Sequence, residues 1–252
     1  MSDFNRNVAA ARGVGADRAL AIDAGLRAHM IRVYNYMAAA VGVTGVIAWL
    51  TFQVSATTNS AGQLVLTPLG QTLFGSWVVF ALILAPLALV FFLSWRIDRL
   101  QASTARLLFF VYAALLGVSL TTIFIAYTET SITRVFFISA AAFGALSLYG
   151  YTTQRDLSGI GSFLIMGLFG VIIASLVNLF LKSSAMDFII SIVGVLVFAG
   201  LTAWDTQKIK EMYDPMDDGS VGGRKAVMGA LSLYLDFINL FLMLLRLVGD
   251  RR

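Results

Sequence analysis

The sequence predicts an all-α integral membrane protein with seven transmembrane helices. Hydrophobic residues make up 59% of the 252 and charged residues only 13%, where a soluble domain carries about a quarter charged residues. The mean hydropathy is +0.84. The apolar residues also gather into seven runs near 31–53, 73–95, 107–127, 132–151, 159–181, 186–204 and 226–247. Each approaches the roughly 20 residues that a helix needs to cross a bilayer core of about 30 Å. Lipid offers the backbone no hydrogen-bond partner, so each run must be helical.

Taken in order, the chain opens with a polar, mixed-charge segment, residues 1–29, holding Arg6, Arg12, Arg18 and Arg27 among Asp3, Asp17 and Asp23. It lacks the short apolar core and small-residue site of a cleaved signal peptide. The first run is therefore expected to act as its own insertion signal. Trp49, Trp95 and Trp204 fall at run ends, as do Tyr34, Tyr127 and Tyr151, which fits aromatic belts at the two membrane faces. Ala140 and Gly144, four residues apart, suit close helix approach. The longest connections, 54–72 and 205–225, are too short for a separate domain. The organisation is thus a cytoplasmic tail, 1–29, and one seven-helix domain, 30–252.

Orientation follows from the basic residues. The N-terminal segment through Arg32 and the loops after the second, fourth and sixth runs carry thirteen Lys and Arg, against five on the other face. The positive-inside rule then puts the N-terminus in the cytoplasm. The last run has enough residues to span fully. Were it re-entrant, the C-terminal three would move inward and the ratio would become sixteen to two. The pI near 9.5 is read as this topology signal and not as a nucleic-acid surface. The absence of cysteine excludes disulfides and thiol chemistry. With His29 as the single histidine, no multi-histidine metal site exists.

Chemistry must come from polar residues inside the apolar runs, since an ionisable group at mid-membrane costs about 2.5–3.5 kcal/mol. Asp236 lies within the last run, and Asp205 follows Trp204 at the cytoplasmic end of the sixth. Helical spacing puts Ser232 and Asn239 on the face of Asp236, a polar stripe that should point into the bundle. If the sixth and seventh helices are antiparallel, the two aspartates can meet. At about 5 Å and an effective dielectric near 20, two charges repel by roughly 3 kcal/mol. The pair then shares one proton and titrates as a unit. Oxygen ligands suit Ca²⁺, although two carboxylates supply fewer than its six to eight ligands, so Asp205 and Asp236 would make a weak site. Asn178 reads as helix–helix glue, Lys182 and Asp187 as solvated, and His29 as an interfacial residue. The stretch from Asp214 to Gly219 reads as an exposed turn that fails the EF-hand spacing. No nucleophile–base pair or resident cofactor site is visible, so the chain is expected not to be an enzyme.

Three segments carry a family resemblance over residues 30–252: Leu233-Tyr234-Leu235-Asp236-Phe237-Ile238-Asn239-Leu240-Phe241, Trp204-Asp205-Thr206-Gln207, and Gly150-Tyr151-Thr152-Thr153-Gln154-Arg155-Asp156-Leu157-Ser158. Together they resemble the bacterial branch of the Bax inhibitor-1 family. The resemblance implies a last helix surrounded by the other six and a pH-sensitive Ca²⁺ leak gated by Asp205 and Asp236, with Thr206 in a supporting place. Members of that family can use a basic residue of the second helix as a latch, whereas residues 73–95 here carry no charge and Arg96 lies at their edge. Some bacterial members are linked instead to modulating a membrane-bound AAA protease. The expected partners are accordingly lipid, calcium ions and such a protease, with no nucleic acid.

Overall fold

The computed structural model describes residues 2–252 except Gly62 and Ser76, with side chains from Ile22 onward apart from Asp23. The charges of Arg6, Arg12 and Arg18 therefore lie outside the described residues. Among those described, seven helices are long and apolar enough to cross a membrane. They are α1 (Ser2–Ser55, its apolar part Ala24–Ser55), α3 (Val78–Arg96), α4 (Ala102–Ala126), α5 (Glu129–Thr152), α6 (Ser158–Leu181), α7 (Ser184–Glu211) and α8 (Gly219–Val248).

Local chemistry sets the helix starts. The side chains of Thr128, Ser183 and Asp218 accept hydrogen bonds from first-turn N–H groups of α5, α7 and α8, which satisfies donors that a helix cannot pair internally. The 54–72 connection is more ordered than its polar composition suggests. It forms a hairpin of β1 (Ala56–Thr58) and β2 (Leu64–Leu66), then a short helix α2 (Pro68–Phe74). Thr67 caps α2 and Pro68 occupies its first turn, the position where a missing N–H costs nothing. The second spanning helix consequently starts at Val78 and not at residue 73.

The chain passes up and down the bundle. Tyr36 meets Arg106, Thr44 meets Ala113 and Ala48 meets Thr121, so α1 and α4 run parallel. Arg224 at the start of α8 donates to the Leu100 carbonyl. At the other end, the N–H of Arg252 donates to the Ala126 carbonyl. Helix α8 therefore spans the full length of α4, and its two ends lie on opposite faces.

Helix α8 is central. Its main neighbours are α1, α4, α5 and α7, whereas α3 packs on α4 and α6 on α7. Tyr234, Leu233, Leu240 and Leu245 of α8 are fully buried. The outer helices instead present Phe80, Phe91, Phe163, Phe169 and Phe180 outward, a distribution that lipid solvates and water would not. Phe136 and Phe143 of α5 meet Phe237 of α8 edge-on at 5.7 and 5.6 Å, and Phe136 also meets Phe241 at 6.3 Å. Phe109 and Tyr112 of α4 meet Tyr234 on the other side, both at 5.7 Å.

Several expectations about faces change. Trp77 and Trp95 at the two ends of α3 are exposed to 77% and 82% and suit an aromatic belt. Trp204 and Tyr34 do not, because both are drawn into helix contacts described below. Gly144 is no close-approach point, since a Cβ added there would meet nothing within 4 Å.

Candidate functional site

The site begins with glycine. At Gly150 of α5 an added Cβ would collide with the Ala203 carbonyl of α7, and at Gly161 of α6 it would enter the Trp204 indole. Two adjacent residues of α7 are thus clasped from two sides just before Asp205. The contact is possible only where the opposing helices lack side chains.

The residues after Asp205 are clamped as firmly. The Thr206 hydroxyl donates to its own helix at the Thr202 carbonyl (2.7 Å) and lies 2.9 Å from the Ser147 hydroxyl of α5. Ser147 in turn lies 2.6 Å from the Tyr34 hydroxyl of α1. Gln207 accepts from the Leu157 N–H and donates to the Arg155 carbonyl, both at 2.8 Å. Lys210 donates to the Tyr151 carbonyl at 2.9 Å. The segment 150–158 is therefore the loop that fastens α5 and α6 to α7, which gives its residues a physical reason.

Helix α7 continues to Glu211, so Asp205 lies inside the helix and not at its end. Lys208, one turn on, sits 5.0 Å from the Trp204 ring centroid and acts electrostatically on Asp205. From α8, Asp236 comes within side-chain hydrogen-bonding reach of Asp205. Asp236 is 5% exposed, and its Oδ2 is fully buried with no hydrogen-bond partner. A buried carboxylate oxygen in that condition costs free energy unless a proton, water or ion satisfies it.

The remaining predicted polar residues are placed less centrally. Asn239 turns back to donate to the Leu235 carbonyl of its own helix at 2.8 Å, and Ser232 is half-buried. Arg96 stacks on Trp95 at 5.6 Å. Asn178 accepts from the Ser183 N–H at 3.0 Å and so ends α6. Asp187 pairs with Arg251 at 3.4 Å. His29 lies inside α1, 7% exposed, beside Tyr213 at 5.8 Å. Covering by the α7–α8 connection buries a residue that chain position alone marks as interfacial. In that connection Asp218 caps α8 and Asp217 pairs with Lys225 at 2.6 Å.

Among the described residues no three His, Asp or Glu side chains gather as a metal cluster. A cation at the aspartates would be held by two carboxylates, completed by water or carbonyl oxygens. Tyr34, Ser147 and Gln207 are site residues that sequence reasoning missed as such. Only Gln207 carried a signal, as the last residue of the second motif.

Fold and site together define a polytopic membrane protein built around a central helix whose buried aspartate meets a half-buried one on the helix before it. The chain belongs to the Bax inhibitor-1 family. It matches the family Bax1-I, "Inhibitor of apoptosis-promoting Bax1", over residues 26–252. It is 50% identical over 230 residues to the uncharacterized protein RP147 of Rickettsia prowazekii, covering 91% of this chain and 92% of that one. It is 48% identical over 232 residues to the inner membrane protein YbhL of Escherichia coli K12, covering 91% and 94%. An uncharacterized protein of Caulobacter vibrioides is 43% identical over 265 residues, covering both chains fully.

Proposed function

We propose that the protein is a pH-sensitive cation leak of the bacterial inner membrane, with Ca²⁺ as its cargo and Asp205 and Asp236 as its gate. The observation that carries this reading is the buried Asp236 carboxyl group, its Oδ2 without a hydrogen-bond partner, within side-chain reach of a second carboxyl group on an antiparallel helix. Two carboxyl groups hydrogen-bond to one another only while one holds a proton. In that state they tie α7 to α8. Loss of the proton sets two charges against each other in a desolvated place, where even at about 5 Å and an effective dielectric near 20 they would repel by roughly 3 kcal/mol. The helices then separate or a cation enters between them. Low pH thus closes the pathway and high pH opens it. The excess of Lys and Arg on the face of the α3–α4, α5–α6 and α7–α8 connections supports a cytoplasmic N-terminus.

Reconstitution in liposomes loaded with a calcium dye tests the reading. Flux should rise with pH in the wild type, and Asp205→Asn and Asp236→Asn should each flatten that rise. Folded variants that keep the wild-type pH profile would remove the gate. Absence of flux in every form would favour a regulatory membrane protein acting on a partner such as a membrane protease.

A further inference from the structure

On the face opposite the basic loops, α6 turns into α7 through Lys182 and Ser183 alone, beside the end of α8. Two adjoining cavities of about 410 and 310 Å³ form a cleft there. Both are lined by Asn178, Lys182, Asp187 and Arg246, and the larger adds Arg251 and Phe188. Three cations thus converge with one carboxylate. Asp187 is engaged by Arg251 at 3.4 Å, and among the described residues neither Lys182 nor Arg246 has a carboxylate partner. The Asn178 side-chain oxygen is taken by the Ser183 N–H at 3.0 Å, which leaves its amide NH₂ as a further donor.

This lining is rich in donors and positive charge, so it suits an oxyanion. Phosphate fits it best, since an Arg fork can hold two oxygens and a Lys adds a point charge. Lys182 is the left-handed cap of α6, φ 50°, a place that glycine usually fills. The cleft lies where the outward apolar surface of Leu179, Phe180 and Phe188 ends. That is the depth of lipid headgroups, with acyl chains alongside. Arg246 follows Asp236 by ten residues on α8, about 15 Å along the axis, so the cleft is separate from the aspartate pair.

We propose that this cleft binds a phosphate group, presented by an anionic phospholipid headgroup. The full chain, purified and delipidated in neutral detergent, tests it through Tm and native mass spectrometry with phosphatidylglycerol, phosphatidylcholine and inorganic phosphate. Phosphatidylglycerol should raise Tm and remain bound where phosphatidylcholine does not. The double variant Lys182→Gln/Arg246→Gln should bind it at least fivefold more weakly. Arg134→Gln/Arg252→Gln, which removes the same charge from the same face outside the cleft, should leave binding unchanged. If inorganic phosphate alone reproduces the Tm rise in the wild type and not in the double variant, the phosphate site stands and its source is the free anion. If the double variant does not fold, Lys182→Gln alone should weaken binding at least twofold. Equal binding of the two lipids, or equal loss in the control variant, would overturn the proposal.

Discussion

Tyr34 and Thr206, on helices α1 and α7, are joined through one hydroxyl, that of Ser147 on α5. Thr206 uses its proton on the Thr202 carbonyl, so Ser147 must donate to Thr206 and Tyr34 to Ser147. The chain has a fixed direction and ties three helices together beside Asp205.

Ser147→Ala removes both interhelical hydrogen bonds of that chain, whereas Tyr34→Phe removes one. Interhelical hydrogen bonds in membranes average about 0.6 kcal/mol. Ser147→Ala should therefore cost about 1 kcal/mol and Tyr34→Phe about half as much in reversible unfolding from detergent micelles. Equal costs would show that Ser147 acts through packing alone.

Gln207→Leu should loosen the 153–157 loop. The change leaves the Leu157 N–H and the Arg155 carbonyl without partners, and a stranded buried group costs about 1–3 kcal/mol. Hydrogen exchange at Leu157 should accelerate accordingly. Gln207→Glu, which keeps an acceptor for that N–H, should retain much of the protection.

Gly161→Ala should destabilise the fold by about 1–3 kcal/mol, the usual cost of overpacking, because the new methyl group enters the Trp204 ring. Gly159→Ala, two residues earlier and facing open space, is the control and should be nearly neutral. Adding Trp204→Phe to Gly161→Ala should recover part of the loss in Tm.

Asp156 lies in the α5–α6 loop, and hydrogen bonds from the Ser158 hydroxyl and then its N–H hold its carboxyl below the usual carboxylate range. A lowered folded-state value stabilises the fold above the ordinary range, and that contribution is lost as pH falls through the lowered value. A titration of the Asp156 carboxyl carbon by NMR should have its midpoint below that of a free aspartate. In Ser158→Ala the midpoint should move upward.

Much of this was legible in the sequence for a simple reason. Apolar runs report transmembrane helices because lipid permits little else, and Asp236 was conspicuous because a charge in such a run is expensive. The second run misled at its start, because the short helix that Thr67 and Pro68 begin in the polar connection reaches Phe74. Ser147 gave no sign, since a serine in a membrane helix bonds its own backbone as readily as a neighbour. Tyr34 resembled a belt tyrosine, and only the packing of α5 shows that its hydroxyl points inward. Gly144 had the right spacing for close approach on the wrong face, and spacing alone does not name the facing helix. His29 was hidden by tertiary covering in the same way.

The edge-to-face rings of Phe136, Phe143, Phe237 and Phe241 bear on how fast any ion could move. Beyond Asp236 three of these rings, Phe136, Phe237 and Phe241, border a small apolar cavity of about 80 Å³, where an ion could not keep its water shell at low cost. On the leak reading, throughput would be metered by how often these rings swing aside, and diffusion to the aspartates would matter little. Such a conduit would pass ions sparsely, at a rate rising steeply with temperature, more like a slow valve than an open pore.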